Sequence, residues 1–199
     1  MSSPAAACNV RLIPSGPAGR LTERWKENLV SELRDARAED ALGIAQVLTR
    51  GWQDAYTGLM PQAYLDNLDP RERLPHWEGV LSTLDEREFV LVTELGGDVV
   101  GVCHVRPSRD EDATADTAEI VAIYVNSGLW GTGEGHALHT EAIARMRKMG
   151  YTEVTLWVLD GNRLASKFYD RHQWAEDEDT RAFEREGFEL VEKRRRLAL

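Results

Sequence analysis

A strand–helix–strand pattern in the second half of the chain constrains the fold more than any other feature. Residues 118–125 form an apolar run typical of a buried strand, residues 133–149 place apolar side chains at helical spacing, and residues 153–158 form a second buried run. A βαβ unit of this kind packs its helix against one face of a sheet. The chain is therefore predicted to form a mixed α/β layer.

Flanking segments extend this sheet. The pattern predicts a strand at 29–34, a helix at 40–52 and two β-branched strands at 89–95 and 99–105. The last two runs are joined through Gly96-Gly97-Asp98, and glycine accepts the positive φ angles of a tight hairpin. Two antiparallel strands are expected there.

The remaining elements are shorter. Residues 52–61 break the helical period with glycine and proline, so they predict a structured loop rich in aromatics, with one or two helices following up to Leu84. A helix is predicted at 162–171 and a last strand at 188–199. The order of elements again indicates a mixed α/β fold.

The N-terminal segment differs from the rest. Residues 1–28 lack a sustained apolar period and are predicted to form a flexible arm, with a short helix at 21–28. A chain of 199 residues suits one domain with its own core. Residues 29–199 are predicted to form that domain.

The formal net charge of −10 bears on partners. It would repel a phosphate backbone, so nucleic acid is not an expected partner. It would attract a cationic acceptor or serve only solubility, and charge alone does not decide between the two. The acidic stretches 110–116 and 176–179 are predicted to be solvated loops.

The cellular setting is inferred from what the sequence lacks. Cys8 and Cys103 are the only cysteines, too few for a disulfide framework and without a CxxC pair, which favours a reducing compartment. No window approaches the roughly 18 apolar residues of a membrane span, and no secretory leader is recognised. A cytoplasmic protein without a membrane partner is expected.

A glycine-rich segment lies between the first strand of the βαβ unit and its helix. It reads Trp130-Gly131-Thr132-Gly133-Glu134-Gly135-His136-Ala137. Its glycines let backbone N–H groups turn toward one point, and a helix N-terminus adds partial positive charge, so a pyrophosphate could bind there. A plain strand-to-helix turn explains the glycines equally well. The dinucleotide fingerprint fails because His136 stands where a glycine is required, and no Walker sequence exists.

The glycine segment resembles the cofactor motif of the GNAT N-acetyltransferases, which reads Gln or Arg, two residues, Gly, one residue, then Gly or Ala. Gly133 and Gly135 match its two small positions, and Trp130 stands at the Gln or Arg position. A second block, 159–171, resembles the family's helix with an Asn, a small residue and a Phe-Tyr pair. Glu134 replaces an uncharged residue and is expected to put a negative charge beside the anion site.

The resemblance extends over about residues 30–199, because segments 52–61 and 99–107 also look like one bacterial GNAT branch. It implies an α+β fold with a mixed, mainly antiparallel central sheet flanked by helices and with splayed central strands. It also implies acetyl-CoA as cosubstrate and direct attack by the primary amine of a small molecule in a ternary complex. Residues implied to bind the cofactor come from the central strand, the glycine segment and the second block: Ile123, Tyr124, Val125, Trp130, Gly131, Thr132, Gly133, Glu134, Gly135, His136, Ala137, Asn162 and Ser166.

The resemblance also implies catalytic roles. Tyr169 is the expected general acid, because a phenol can protonate a departing thiolate. Glu119, at the start of the central strand, and His104, whose ordinary pKa of about 6.5 suits base catalysis, are the candidate bases. Each of the three could instead serve only packing or solvation.

The acceptor wall is expected in the aromatic loop. Trp52, Asp54 and Tyr56 offer aromatic faces and a carboxylate that can hold a cation, or they only fasten the loop to the core. His136 and His139 are one helical turn apart without a third ligand at metal-like spacing, so no metal site is expected.

Three other functions stay open at the level of sequence. The chain could be an acyl-CoA-binding or regulatory protein with little catalysis, a scaffold in which the glycine segment is only a turn, or a protein N-terminal acetyltransferase. The identity of the amine is not encoded in any motif. Formation of a homodimer is also left open.

Overall fold

The computed structural model describes the backbone of residues 8–11 and all atoms of residues 30–199. The flexible arm predicted for 1–28 and its helix at 21–28 lie largely outside the described residues. Residues 8–11 form a strand that the sequence did not predict. The boundary at residue 29 stays a prediction.

The described elements follow the predicted order, with two strands added that the sequence did not predict, β1 and β7. Five helices are α1 Ala41–Ala55, α2 Gln62–Asp66, α3 Pro70–Ser82, α4 Glu134–Lys148 and α5 Arg163–Arg171. Eight strands, counted within residues 8–11 and 30–199, are β1 Cys8–Arg11, β2 Val30–Asp35, β3 Phe89–Leu95, β4 Asp98–Pro107, β5 Thr117–Val125, β6 Glu153–Leu159, β7 Ala175–Arg185 and β8 Phe188–Ala198.

The strands form one sheet in the order β1-β2-β3-β4-β5-β6-β8-β7. Neighbouring strands are antiparallel except β5 and β6, which are parallel and joined through α4. That pair is the predicted βαβ unit, and the predicted fold class, a mixed and mainly antiparallel sheet flanked by helices, is confirmed.

Helices cover both faces of the sheet, and the central strands β3, β4 and β5 accordingly bury side chains on both sides. One core lies under α4 and α5 and includes Leu138, Met146 and Leu156. A second core lies under α1 and α3 and includes Ile44 and Trp77. The two layers leave the open end of the β5–β6 pair between them.

The hairpin predicted at Gly96 is present, and the two glycines have φ angles of 61° and 84°. Helix α1 continues to Ala55, so the first turn of the predicted aromatic loop is helical. Only the part after it, which contains Gly58, turns as a loop. None of the described helices is long and apolar enough to cross a membrane.

The prediction for the second acidic stretch is wrong. Residues 176–179, expected in a solvated loop, belong to the edge strand β7. The strand has no alternation of apolar and polar residues because most of its side chains are exposed. Its Asp177 instead pairs with Arg194 and Arg196 of β8, at a point where the β7–β8 register shifts.

Candidate active site

A cleft opens where strands β5 and β6 separate. The two pair only from Thr117 to Glu119 and from Glu153 to Thr155, and beyond these residues they splay apart. The gap forms a cleft of about 630 Å³. Its walls come from β5, β6, the glycine segment, α5 and the end of α1. The predicted splay of the central strands is therefore present.

A bulge in β5 shapes the first wall. His104 of β4 faces Ala122 while Val105 faces Ile120, so Val121 is an extra residue and 39% exposed. A bulge reverses which side chains face which layer. Beyond it the three residues predicted to contact the cofactor line the cleft: Ile123, Tyr124 and Val125.

The glycine segment forms the floor near the helix. Gly131 and Gly133 adopt φ angles of 79° and 107°, a region that favours glycine, and both line the cleft. Gly133 is the N-cap of α4, and no side chain caps the first turn. The helix therefore presents uncapped N–H groups and partial positive charge beside the cleft, as an anion requires.

Trp130 completes this turn. Its Nε1 donates a hydrogen bond of 2.9 Å to the carbonyl oxygen of Val125, and the residue lines the cleft. A Cβ on Gly135 would stand 3.4 Å from the ring of Phe168, so a small residue is required between α4 and α5. These contacts hold the glycine segment against the end of β5.

The expectation for Glu134 is wrong. Its side chain is fully buried, accepts a hydrogen bond of 2.7 Å from Ser31 of β2 and does not line the cleft. Burial raises the pKa of Glu134, and the hydrogen bond from the Ser31 hydroxyl partly offsets this. The first turn of α4 therefore carries no carboxylate toward the anion.

Several other predicted cofactor contacts fall into two groups. Asn162 and His136 line the cleft, and Asn162 Oδ1 also caps α5 by accepting from the N–H of Ala165 at 3.1 Å. Thr132, Ala137 and Ser166 do not line it. The Thr132 hydroxyl donates instead to the carbonyl of Leu129 at 2.7 Å.

Tyr169 faces the cleft from α5. The residue is 7% exposed, and its hydroxyl has no hydrogen-bond partner within residues 30–199. Burial raises the pKa of its phenol, so Tyr169 stays protonated at neutral pH. A protonated phenol therefore lines the cleft, and the role of Tyr169 as general acid stays a prediction.

Two more tyrosines line the cleft on the side of α1. The hydroxyl oxygens of Tyr56 and Tyr124 are 2.6 Å apart. Burial raises the pKa of both phenols. The sequence named Tyr124 only as a cofactor contact, and the partnership with Tyr56 joins residues 68 positions apart, which no local pattern signals.

The two candidate bases lie outside the cleft lining. Oε2 of Glu119 accepts from Arg106 Nε at 3.1 Å and Nη2 at 2.9 Å. His104 is buried, with Nε2 2.7 Å from Glu88 Oε1 and its ring edge-on to Trp77. Burial lowers the pKa of His104, and the carboxylate partly offsets this. Their role as bases stays a prediction.

The acceptor wall differs in charge from the expected one. Asp54 is exposed and does not line the cleft, whereas Tyr56 does. The ring of Trp52 carries two guanidinium groups, those of Arg73 and Arg185, at 4.4 Å and 5.1 Å from its centroid. The aromatic face expected to hold a cationic acceptor thus already binds cations of the protein.

The far wall carries residues that the sequence reading missed. Lys167, Phe168, Arg171 and His172 of α5 and its C-terminal end line the cleft together with His136. These residues are one, three and four positions apart, a spacing that places them on one side of a helix. That spacing is the signal in the sequence from which they could have been predicted. They add cationic side chains near the first turn of α4.

The histidines form a stacked cluster. His172 Nδ1 donates to the Phe168 carbonyl at 2.8 Å, so its Nε2 accepts from His136 Nδ1 at 2.9 Å when both rings are neutral. Burial lowers the pKa of His139 to about 3, and its Nε2 accepts from Trp174 Nε1. In the part of the chain that the structure describes, no group of three or more His, Cys, Asp or Glu could hold a metal ion.

Comparison with known proteins decides the family. A family model described as Acetyltransferase (GNAT) family matches residues 49–174. The chain belongs to the GNAT acetyltransferase family. The matched span contains the glycine segment, the β5–β6 cleft and Tyr169. Acetyl-CoA is the cosubstrate of this family, and the chain is an acyltransferase.

This GNAT acetyltransferase is 28% identical over 167 residues to the Uncharacterized N-acetyltransferase YuaI of Bacillus subtilis (strain 168), with 80% of this chain and 88% of that protein covered. It shares its fold with the PaiA N-acetyltransferase of Thermoplasma acidophilum solved in complex with coenzyme A (TM-score 0.63, 20% identity, 82% and 97% of the two chains covered).

A third GNAT relative is YncA of Salmonella typhimurium, described as a putative acetyltransferase and solved with its cofactor acetyl-CoA. The TM-score is 0.61, the identity is 20%, and 84% of this chain and 93% of that chain are covered. At this identity the likeness establishes the fold.

Proposed function

We propose that this acyltransferase moves an acetyl group from acetyl-CoA to a primary amine of a small molecule, by direct attack of the amine within a ternary complex. The observation that carries the proposal is one continuous cleft. It runs from the uncapped N-terminus of α4 at Gly133, along the splayed edge of β5, to the hydroxyl of Tyr169.

The residues present fit acetyl-CoA. The backbone of Gly131, Gly133 and Gly135 and the first turn of α4 would hold the pyrophosphate, because a helix N-terminus with glycine-rich approach binds anions. The unpaired edge of β5 at Ile123 and Val125 would hold the amide-bearing arm. Bound there, acetyl-CoA supplies an activated thioester carbonyl.

Direct transfer is favoured because binding both reactants in one cleft lowers the barrier without a covalent enzyme intermediate, an effect of up to about 7–11 kcal/mol. Among the described residues, the one free cysteine is Cys103, which does not line the cleft. Burial raises the pKa of its thiol to about 12, so it is no nucleophile at neutral pH.

Tyr169 is proposed as the proton donor. In the transfer the amine nitrogen forms a bond to the acetyl carbon and the carbon–sulfur bond breaks. The departing thiolate takes a proton from the Tyr169 hydroxyl, which is protonated and free of protein partners within residues 30–199. The amine releases its proton through water to solvent, and the Tyr169 oxygen regains a proton from solvent, which restores the enzyme to its starting state.

The general base would act from outside the lining of the cleft. Glu119 and His104 stay candidates that would act through water, since neither lines the cleft. Replacing each in turn and recording the pH dependence of kcat/KM tests this, because only a base whose pKa appears in the profile shifts it when removed.

Thermal unfolding and thiol release together test the proposed function. We expect acetyl-CoA to raise the Tm and a panel of primary amines to release CoA thiol. A Tm increase with no thiol release from any amine would favour an acyl-CoA-binding regulatory protein. Absence of any Tm change up to millimolar acetyl-CoA would contradict the site itself.

A further inference from the structure

Arg73 lies on α3 and is only partly exposed; neither it nor Trp52, the ring it contacts, belongs to the lining of the cleft. Its guanidinium carbon is 4.4 Å from the centroid of the Trp52 ring. Within residues 30–199 it has no carboxylate partner and no hydrogen-bond acceptor, and burial lowers its pKa. Among the described residues, no carboxylate therefore offsets the charge of this partly buried guanidinium group.

Arg185, at the end of β7, approaches the same ring from a different element. Its guanidinium carbon is 5.1 Å from the Trp52 centroid, and its Nη1 donates to the Tyr64 hydroxyl at 3.2 Å. Its Nε is buried and has no hydrogen-bond partner among the described residues. Two guanidinium groups therefore converge on one indole ring.

Three arginines of strands β4, β7 and β8 are paired with carboxylates, whereas Arg171 of α5 is exposed to solvent. Arg106 pairs with Glu119, and Arg181 pairs with Glu192 at 2.7 Å. Arg194 pairs with a group of aspartates. Burying a charge without a partner costs free energy, so two uncompensated guanidinium groups side by side indicate a ligand that supplies the missing negative charge.

The pair lies next to the cleft. Trp52 packs edge-on against Tyr56 with ring centroids 5.4 Å apart, and the Tyr56 hydroxyl is 2.6 Å from that of Tyr124. Both tyrosines line the cleft from the side of α1. Arg73 acts electrostatically on both of their hydroxyls. This is the side of the sheet opposite α4, where the acceptor would enter.

We infer that the acceptor is an amine that also carries an anionic group, a carboxylate, phosphonate or phosphinate, and that Arg73 and Arg185 bind this group. The inference rests on the proposed function and gives its substrate class. Guanidinium groups bind such oxyanions through charge-assisted and bidentate hydrogen bonds. A simple alkylammonium ion would be repelled by the same two charges.

The arginine pair also affects the nucleophile. An ammonium group near positive charge has a lowered pKa, so a larger fraction of the acceptor is present as the neutral amine that attacks. The anionic group compensates for the charge of the arginines during binding. One arrangement thus selects the acceptor and favours its reactive form.

Matched acceptors test this inference. Thiol release is measured with L-amino acids against their carboxamides, and with aminoalkylphosphonates against alkylamines of equal length. We expect the anionic member to have the higher kcat/KM, by about tenfold or more, since a hydrogen bond to a charged group is worth at least that factor. The carboxylate and phosphonate series separate the two oxyanion chemistries.

One variant and its control assign the effect to Arg73. Arg73→Gln should abolish the preference for the anionic member, while Arg71→Gln, the same change on an exposed arginine of the same helix, should retain it. Two results would overturn the inference and leave the proposed function intact. One is a higher kcat/KM of the native enzyme for amines without an anionic group. The other is an equal loss of kcat/KM for both members of a matched pair in Arg73→Gln. Absence of turnover with every amine would overturn both.

Discussion

The hydroxyl of Ser31 donates a hydrogen bond of 2.7 Å to Oε1 of Glu134, which ties strand β2 to the first turn of α4. The second oxygen of this buried carboxyl has no hydrogen-bond partner among the described residues. The carboxyl of Glu134 therefore fastens the first turn of α4 to the sheet. Gly133 and Gly135 of the same turn line the cleft instead.

Replacement of Glu134 by Gln tests the cost of this burial. Its folded pKa lies above the ordinary value of 4.5, so the folded state holds the proton more tightly than the unfolded chain. The stabilising contribution of the bound proton is fully present below the pKa that Glu134 has in the unfolded chain. It is lost as pH rises through the pKa that Glu134 has in the folded protein. We expect Glu134→Gln to raise Tm relative to the native protein at about pH 8 and much less at about pH 4. An equal Tm difference at the two pH values would contradict this.

Replacement of Gly133 by Asp should abolish binding of acetyl-CoA. The residue has a φ of 107° and caps the helix that faces the cleft, so the substitution adds both strain and a negative charge at the anion site. Gly187→Asp is the control, since Gly187 has a φ of 82°, open space around it and a position in the β7–β8 turn. Trp130→Ala should only weaken binding, because backbone groups hold the anion. Titration calorimetry measures all three.

Replacement of Tyr169 by Phe should lower kcat by about 100-fold, a typical contribution of a positioned acid, and leave acetyl-CoA affinity nearly unchanged. Tyr151→Phe is the control, since that buried hydroxyl donates to the Arg87 carbonyl outside the cleft lining. It should lower stability and not kcat. Unchanged turnover in Tyr169→Phe would remove the proposed role.

The aspartates paired with Arg194 are expected to make the protein less stable as the pH falls into the acidic range. Hydrogen bonds from Arg194, and then from Arg196, lower the pKa of Asp112 from 3.8 to about 2. A carboxyl whose pKa is lowered by folding stabilises the protein at pH values above its pKa in the unfolded chain. For Asp112 this stabilisation is lost as the pH falls from about 4 to about 2. Arg194→Met should cost about 1–3 kcal/mol at neutral pH, since Asp179 would lose its arginine partner while Asp112 and Asp177 would keep only Arg196.

Chemical unfolding at neutral and acidic pH checks the Arg194 prediction. The free energy of unfolding of the native protein should fall more steeply with acid than that of Arg194→Met. Parallel pH dependences of the two proteins would contradict the account of the network.

Much of the fold could be predicted from the sequence because its elements carry local signals. The β5–α4–β6 unit alternates buried runs with a helical period, and Gly131 and Gly133 mark the turn before the helix. These signals depend on residues close in sequence. The same applies to the hairpin at Gly96, where the chain needs positive φ.

The features of the fold and of the site that the sequence did not predict depend on contacts between residues far apart in the chain. Strand β7 is stabilised by ion pairs to β8 and carries no apolar alternation, so its acidic residues indicate a loop when taken alone. The partner of Glu134 is 103 residues away in β2. The charge of the acceptor side depends on Arg73 and Arg185, which α3 and β7 bring to Trp52 from opposite parts of the chain.

The central claim is acetyl transfer in the β5–β6 cleft, and mass spectrometry of a cell metabolite extract incubated with isotope-labelled acetyl-CoA tests it most directly. With the native enzyme we predict labelled N-acetyl products, chiefly from amines that carry an anionic group, and none with Gly133→Asp. Binding of acetyl-CoA by the native enzyme without any labelled amine product would contradict the claim.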